Sequence, residues 1–147
     1  MQFAAEIPPG WTRSPFPAPQ RGLYLRPPAG GPRGALLLMD ALTPTGTLAE
    51  QLAAAVKTGC AGTVVLAEHV ATPFATVAFP GLSVATRVRV THAGREHEEL
   101  RIFALIDAGA MRLPIVYLGE VGSAEVYQQA IGLVLSTVRP TGTPLPR

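Results

Sequence analysis

Two alternating stretches meet at Ala93-Gly94-Arg95, and this hairpin constrains the fold more than any other feature of the chain. Val84, Thr86 and Val88 recur at every second position before it, and Leu100, Ile102 and Ala104 do so after it. Period-two burial belongs to strands, and a slip of one residue turns every side chain to the wrong face. A three-residue loop sets Val88 opposite Leu100, Thr86 opposite Ile102 and Arg89 opposite Glu99, so like meets like. A two-residue loop would set Val88 against Glu99. The alternation therefore predicts the three-residue loop, with Gly94 supplying positive φ.

The remaining segments build around that hairpin. Residues 63–70 and 111–118 are β-type, and Pro114 implies that the second of these is an edge strand or carries a bulge. Residues 35–42 form a near-continuous apolar run, as expected of a strand buried on both faces. Before it, prolines at 8, 9, 15, 17, 19, 27, 28 and 32 leave room only for short or edge strands at 2–7 and 22–26. Thr47 and Glu50 have capping-box spacing, followed by Leu48, Leu52, Ala55 and Val56 at helical spacing. That helix should end near Gly59 or Gly62. A second helix is expected to start at Ser123 as cap. Its buried stripe is Tyr127, Ala130, Ile131, Val134 and Val138, widened by Val126 and Leu133, and Arg139-Pro140 stops it.

Length and composition bound the rest. A chain of 147 residues suits one domain, here residues 1–139, with a flexible Pro-rich tail at 140–147. A domain this size can bury about two thirds of its unfolded surface and needs no metal or disulfide to fold. Net charge is +2 and the eleven arginines are scattered, which argues against nucleic acid as a partner. A single cysteine, Cys60, cannot form an internal disulfide or a zinc site. The start lacks a signal-peptide pattern and no apolar run is long enough for a membrane span, so the chain reads as cytoplasmic. Charged residues are only 15%, so some apolar surface should remain exposed, as at a partner interface.

A family pattern emerges from the order of these elements. Pro8-Pro9-Gly10-Trp11 stands at the N-terminal strand, and Gly46-Thr47-Leu48-Ala49 opens the first helix. A meander ends at Asp107–Gly109, and the last helix closes at Arg139-Pro140. Together they resemble the PsbP / DcrB / Mog-type superfamily over about residues 3–139. The resemblance implies an α/β/α sandwich: a central antiparallel sheet of about six or seven strands with two helices packed on it. Members include lumenal photosystem subunits, a Ran-binding nucleotide-release factor and bacterial chaperones of secretion-system effectors. What they share is binding through a face or groove, so a protein partner is implied here.

Candidate chemistry is sparse. His92 and His97 flank the hairpin loop, and Glu99 shares a strand face with His97, so imidazole and carboxylate could in principle meet a divalent metal. A hairpin tip is normally solvated and no third ligand is fixed, so no metal is expected. Cys60 lies at the helix C-terminus, the wrong end of the dipole to activate a thiol, and reads as a core residue. Asp40, inside an apolar strand, either faces solvent at the strand end or pairs with an arginine. Gly30-Gly31-Pro32-Arg33-Gly34 precedes a strand and cannot place a phosphate at a helix N-terminus. Trp11, Phe16 and Tyr24 are the candidates for a partner-binding aromatic surface. No catalytic residue and no cofactor is expected. The sequence points to a non-enzymatic protein-binding or adaptor domain, chaperone-like in a bacterial assembly or secretion context. The alternative is a small-molecule or lipid binder with a cavity between sheet and helix.

Overall fold

A computed structural model of the chain describes residues 3–15, 22–76 and 78–141. Its strands are β1 (Phe3–Ala4), β2 (Thr12–Pro15), β3 (Gly22–Arg26), β4 (Gly34–Met39), β5 (Val64–Glu68), β6 (Thr72–Ala75), β7 (Pro80–His92), β8 (Arg95–Asp107), β9 (Arg112–Gly119) and β10 (Arg139–Pro140). The helices are α1 (Leu48–Gly59), α2 (Ser123–Val126) and α3 (Gln128–Thr137). Eight strands form one antiparallel sheet in the order β2-β3-β4-β9-β8-β7-β5, with β6 also on β7, while β1 pairs with β10. This is an α+β fold with helices on both faces. It has one strand more than the expected six or seven, and one short extra helix, α2.

The hairpin between β7 and β8 corrects the expected register. His92 pairs with Arg95, so the loop is the two residues Ala93 and Gly94, with φ of 51° and 76°. Positive φ at both positions is the turn whose twist matches a hairpin, and Ala93 accepts the conformation despite its Cβ. Val88 consequently faces Glu99, and Thr86 faces Arg101. The requirement for unmixed faces fails because this face is closed by a helix end that needs polar partners. Arg101 Nη1 donates to the Gly59 carbonyl at 2.6 Å and Nε to Glu99 Oε1 at 3.1 Å. Thr86 Oγ1 donates to the Arg101 carbonyl at 2.9 Å.

Two apolar layers sandwich the sheet. On one face Leu52, Val56 and Cys60 of α1 pack on Val84, Val88, Phe103 and Leu105. On the other, Val134 and Val138 pack with Leu25, Leu36, Leu38, Ile106, Leu113, Ile115 and Tyr117. The capping box forms as spaced: Thr47 Oγ1 accepts from the Glu50 amide at 3.1 Å, and Glu50 Oε1 accepts from the Thr47 amide at 3.2 Å. The Thr47 hydrogen bonds hold the Glu50 carboxyl below its ordinary range. Arg112, buried, ties β9 to the start of α1. Its Nη1 donates to Gln51 Oε1 at 2.8 Å and to the Gly46 carbonyl at 3.1 Å. Two sheet arginines therefore hold the two ends of α1.

Three further expectations change. Pro114 lies in β9, which is central rather than an edge, between β4 and β8. The ladder tolerates it because β4 leaves register there. Leu38 pairs with Ile115 and Leu42 bridges to Arg112, so three intervening residues on one strand stand against two on the other. Asp40 sits in this interruption, exposed, accepting from the Ala41 amide at 3.2 Å. Ser123 is not the helix cap: Gly122 holds that position with φ of 90°. Ser123 is buried instead, its Oγ donating to the Glu120 carbonyl and lying 2.6 Å from the Tyr117 hydroxyl. Val126 is 63% exposed and adds nothing to the buried stripe, because the chain turns at Tyr127 between α2 and α3.

Candidate functional site

The helices cover the sheet unevenly, and the uncovered parts are the candidate sites. Helix α1 packs on β7 and β8, close to one edge of the sheet. Beyond it lies β5, every residue of which is exposed. Val64, Val65 and Leu66 are 56%, 46% and 37% exposed, and Val70 just after the strand is 87% exposed. Among the described residues no strand pairs with the outer side of β5. The opposite edge strand, β2, carries Arg13 and Pro15, residues that discourage further pairing. Strand β5 has no such guard before Glu68; its one irregularity is a register shift between Val65 and Ala67. Between β5 and α1 runs a groove of about 470 Å³, floored by Leu52, Val56 and Val84 and flanked by Ala53, Val65 and Val70.

A second cleft, of about 590 Å³, opens on the half of the same sheet face that α1 leaves bare. Tyr24, Ala35 and Leu118 form its floor, and the β3–β4 loop forms one wall. That loop is anchored twice. Tyr127 Oη donates to the Pro32 carbonyl, and Glu120 Oε1 accepts from both the Arg33 amide at 3.2 Å and Arg33 Nε at 3.1 Å. The Arg33 amide, then its side chain, hold the Glu120 carboxyl below its ordinary range. Gly34 and Gly119 pair across β4 and β9 where the Tyr117 hydroxyl needs space; a Cβ at either would strike it. Burial raises the Tyr117 phenol above its usual value, against the opposing hydrogen bond to Ser123.

The residues singled out from the sequence divide between these places. His92, His97 and Glu99 share the α1 face of the hairpin, as the pairing of Val90 with His97 and Val88 with Glu99 requires. His97 and Glu99 line the second cleft, whereas His92 stands exposed beside the hairpin turn. Among the described residues no three of His, Cys, Asp and Glu gather as a metal site. Cys60 is buried at the end of α1, its thiol 3.8 Å from Thr86 Oγ1. The aromatic trio does not form one surface. Trp11 is buried and packs edge-on against Tyr127, ring centroids 5.3 Å apart. Tyr24 lies on the other face beneath the Arg26 guanidinium, 5.2 Å from the ring centre, and Phe16 lies outside the described residues. The exposed edge β5 and the cleft arginine Arg26 were not anticipated. The run Val64-Val65-Leu66-Ala67, apolar at successive positions without proline or charge, marks a strand with no edge guard but does not encode its exposure.

No protein-family model and no curated protein matches the sequence. Solved structures do match in shape. The crystal structure of LpqN, involved in cell envelope biogenesis of Mycobacterium tuberculosis, superposes with a TM-score of 0.57 at 10% identity, over 92% of this chain and 81% of that one. The solution structure of cyanobacterial PsbP (CyanoP) from Synechocystis sp. PCC 6803 gives 0.55 at 10% identity, over 95% of this chain and 91% of that one. The chain has a PsbP-like fold. At this identity the likeness carries architecture and no chemistry, since one fold hosts many functions. Among the described residues no helix is long and apolar enough to cross a membrane.

Proposed function

We propose that this PsbP-like domain is a binding protein that takes an extended apolar segment of another protein onto β5. The observation that carries the proposal is the open β5 edge, exposed along its whole length and bearing Val64, Val65 and Leu66. An unpaired strand offers a row of backbone donors and acceptors, and an added strand satisfies them. The adjoining groove against Leu52, Val56 and Val84 would take alternate apolar side chains of the incoming segment. Main-chain pairing would supply affinity, and the groove would supply preference. Capture of an apolar segment in this way is chaperone-like or adaptor-like binding and requires no chemical step.

Selection of short random peptides displayed against the purified protein tests this. Selected peptides should share an apolar/polar alternation. Val65→Lys, which sets a charge on the groove wall, should weaken them by about tenfold or more while the thermal melt holds. Peptides lacking the alternation, or bound equally by Val65→Lys, would contradict the proposal, as would a selection yielding none. The competing occupant of the groove is a small apolar molecule or lipid. Native mass spectrometry showing such a ligand in the wild type and none in Val65→Lys would favour it over a peptide.

A further inference from the structure

The second cleft points to a separate ligand, independent of the β5 edge. Its charges are not equivalent. Glu98 is paired with Arg87, Glu99 with Arg101 and Glu120 with Arg33. Each carboxylate at the cleft thus has an arginine of its own. Arg26, by contrast, has no hydrogen bond or ion pair from its side chain among the described residues. Its guanidinium rests over the Tyr24 ring, which positions the charge without neutralising it. The guanidinium carries five N–H donors in a fixed fork that matches an acid group, and a contact with a ring face uses none of them as a hydrogen-bond donor to an oxygen. Beside it lie the apolar floor residues Ala35 and Leu118.

The wall is also set in advance. Pro27, Pro28 and Pro32 restrict the loop backbone, and Tyr127 and Glu120 fasten it. A preformed cleft with an apolar floor and one uncompensated arginine has the make-up of a small-ligand site, and about 590 Å³ lies in the usual size range. We infer that the cleft binds a small organic carboxylate, its acid group on Arg26 and its apolar body against Tyr24 and Leu118. The three paired carboxylates around it restrict the site to a single anionic group and disfavour extended polyanions.

Titration of the purified chain with 4-phenylbutyrate and with its uncharged amide, 4-phenylbutyramide, followed by backbone amide NMR, tests the inference. The carboxylate should shift the Gly30, Gly31 and Gly119 resonances saturably. The amide should bind at least about tenfold more weakly, the loss expected when a charge-assisted hydrogen bond is removed. Arg26→Gln should lose the carboxylate preference with an unchanged thermal melt. Equal binding of acid and amide, undiminished binding to Arg26→Gln, or no saturable shift by about 10 mM would overturn the inference. Because Val65→Lys alters the other groove, it should leave this titration unchanged, so the two proposals fail separately.

Discussion

Replacing Arg101 by Met removes the polar contact that fastens the end of α1 to the sheet, while keeping most of the side-chain stem. In the structure Arg101 Nη1 donates to the Gly59 carbonyl at 2.6 Å and Nε to Glu99 at 3.1 Å, with the two side chains 16% and 21% exposed. A hydrogen bond from a charged donor contributes about 1.5–3 kcal/mol. A cation at a helix C-terminus adds about 0.3–1 kcal/mol. Partial exposure trims both, so a loss of about 2–3 kcal/mol is expected for Arg101→Met. In a domain this size each kcal/mol moves Tm by about 2–4 °C, giving a drop of about 4–12 °C. Urea denaturation of the wild type, Arg101→Met, Glu99→Gln and the double variant separates the helix contact from the ion pair. Glu99→Gln should cost about 1 kcal/mol or less. A loss below about 0.5 kcal/mol for Arg101→Met, or one reproduced in full by Glu99→Gln, would refute the idea that the Gly59 carbonyl is the important partner.

A methyl at Gly59 would run into the buried Phe103 ring. Gly59→Ala should therefore lose about 1–2 kcal/mol in denaturant titration despite the better helix propensity of alanine, and a gain would contradict the close helix–sheet contact. At the hairpin turn, Ala93 has φ of 51°. Ala93→Asn should raise stability by about 0.5 kcal/mol, since asparagine accepts that region more readily; a decrease would speak against the two-residue turn. Burial raises the Tyr117 phenol, so the contribution of the folded state is complete below its unfolded value of 10.0 and is lost as pH climbs through the folded value. Absorbance titration should show one tyrosine ionising late. Tyr117→Phe should remove that step and flatten the alkaline decline in stability; three tyrosines titrating together in the wild type would refute it.

Local signals in the sequence translated directly where one residue met one backbone need. Thr47 and Glu50 closed their capping box because both partners lie within one helical turn. The alternation in β7 and β8 located both strands. Register was legible only in part, because the criterion of like facing like ignored the end of α1. Arg101 reaches the Gly59 carbonyl, a partner 42 residues away in sequence, while Glu99 and Thr86 on the same face engage Arg101 in turn. Ser123 had the composition of a cap, yet its hydroxyl went to Tyr117 and Glu120 because Gly122 supplied the turn. Trp11 and Tyr24 do not share one surface because sheet geometry places them on opposite faces, which the sequence spacing alone does not reveal. Exposure of β5 depends on where α1 stops covering the sheet, which no local pattern encodes. The special standing of Arg26 depends on the pairing of three other arginines with three carboxylates.

Amide hydrogen exchange on β5, with and without a selected peptide, reaches the central claim most directly. In the free chain the outward amides of Val64–Glu68 should exchange far faster than those of the enclosed strand β9, and saturating peptide should slow them selectively. Equal protection of β5 and β9 without peptide, or outward β5 amides that stay fast with peptide bound, would contradict the account.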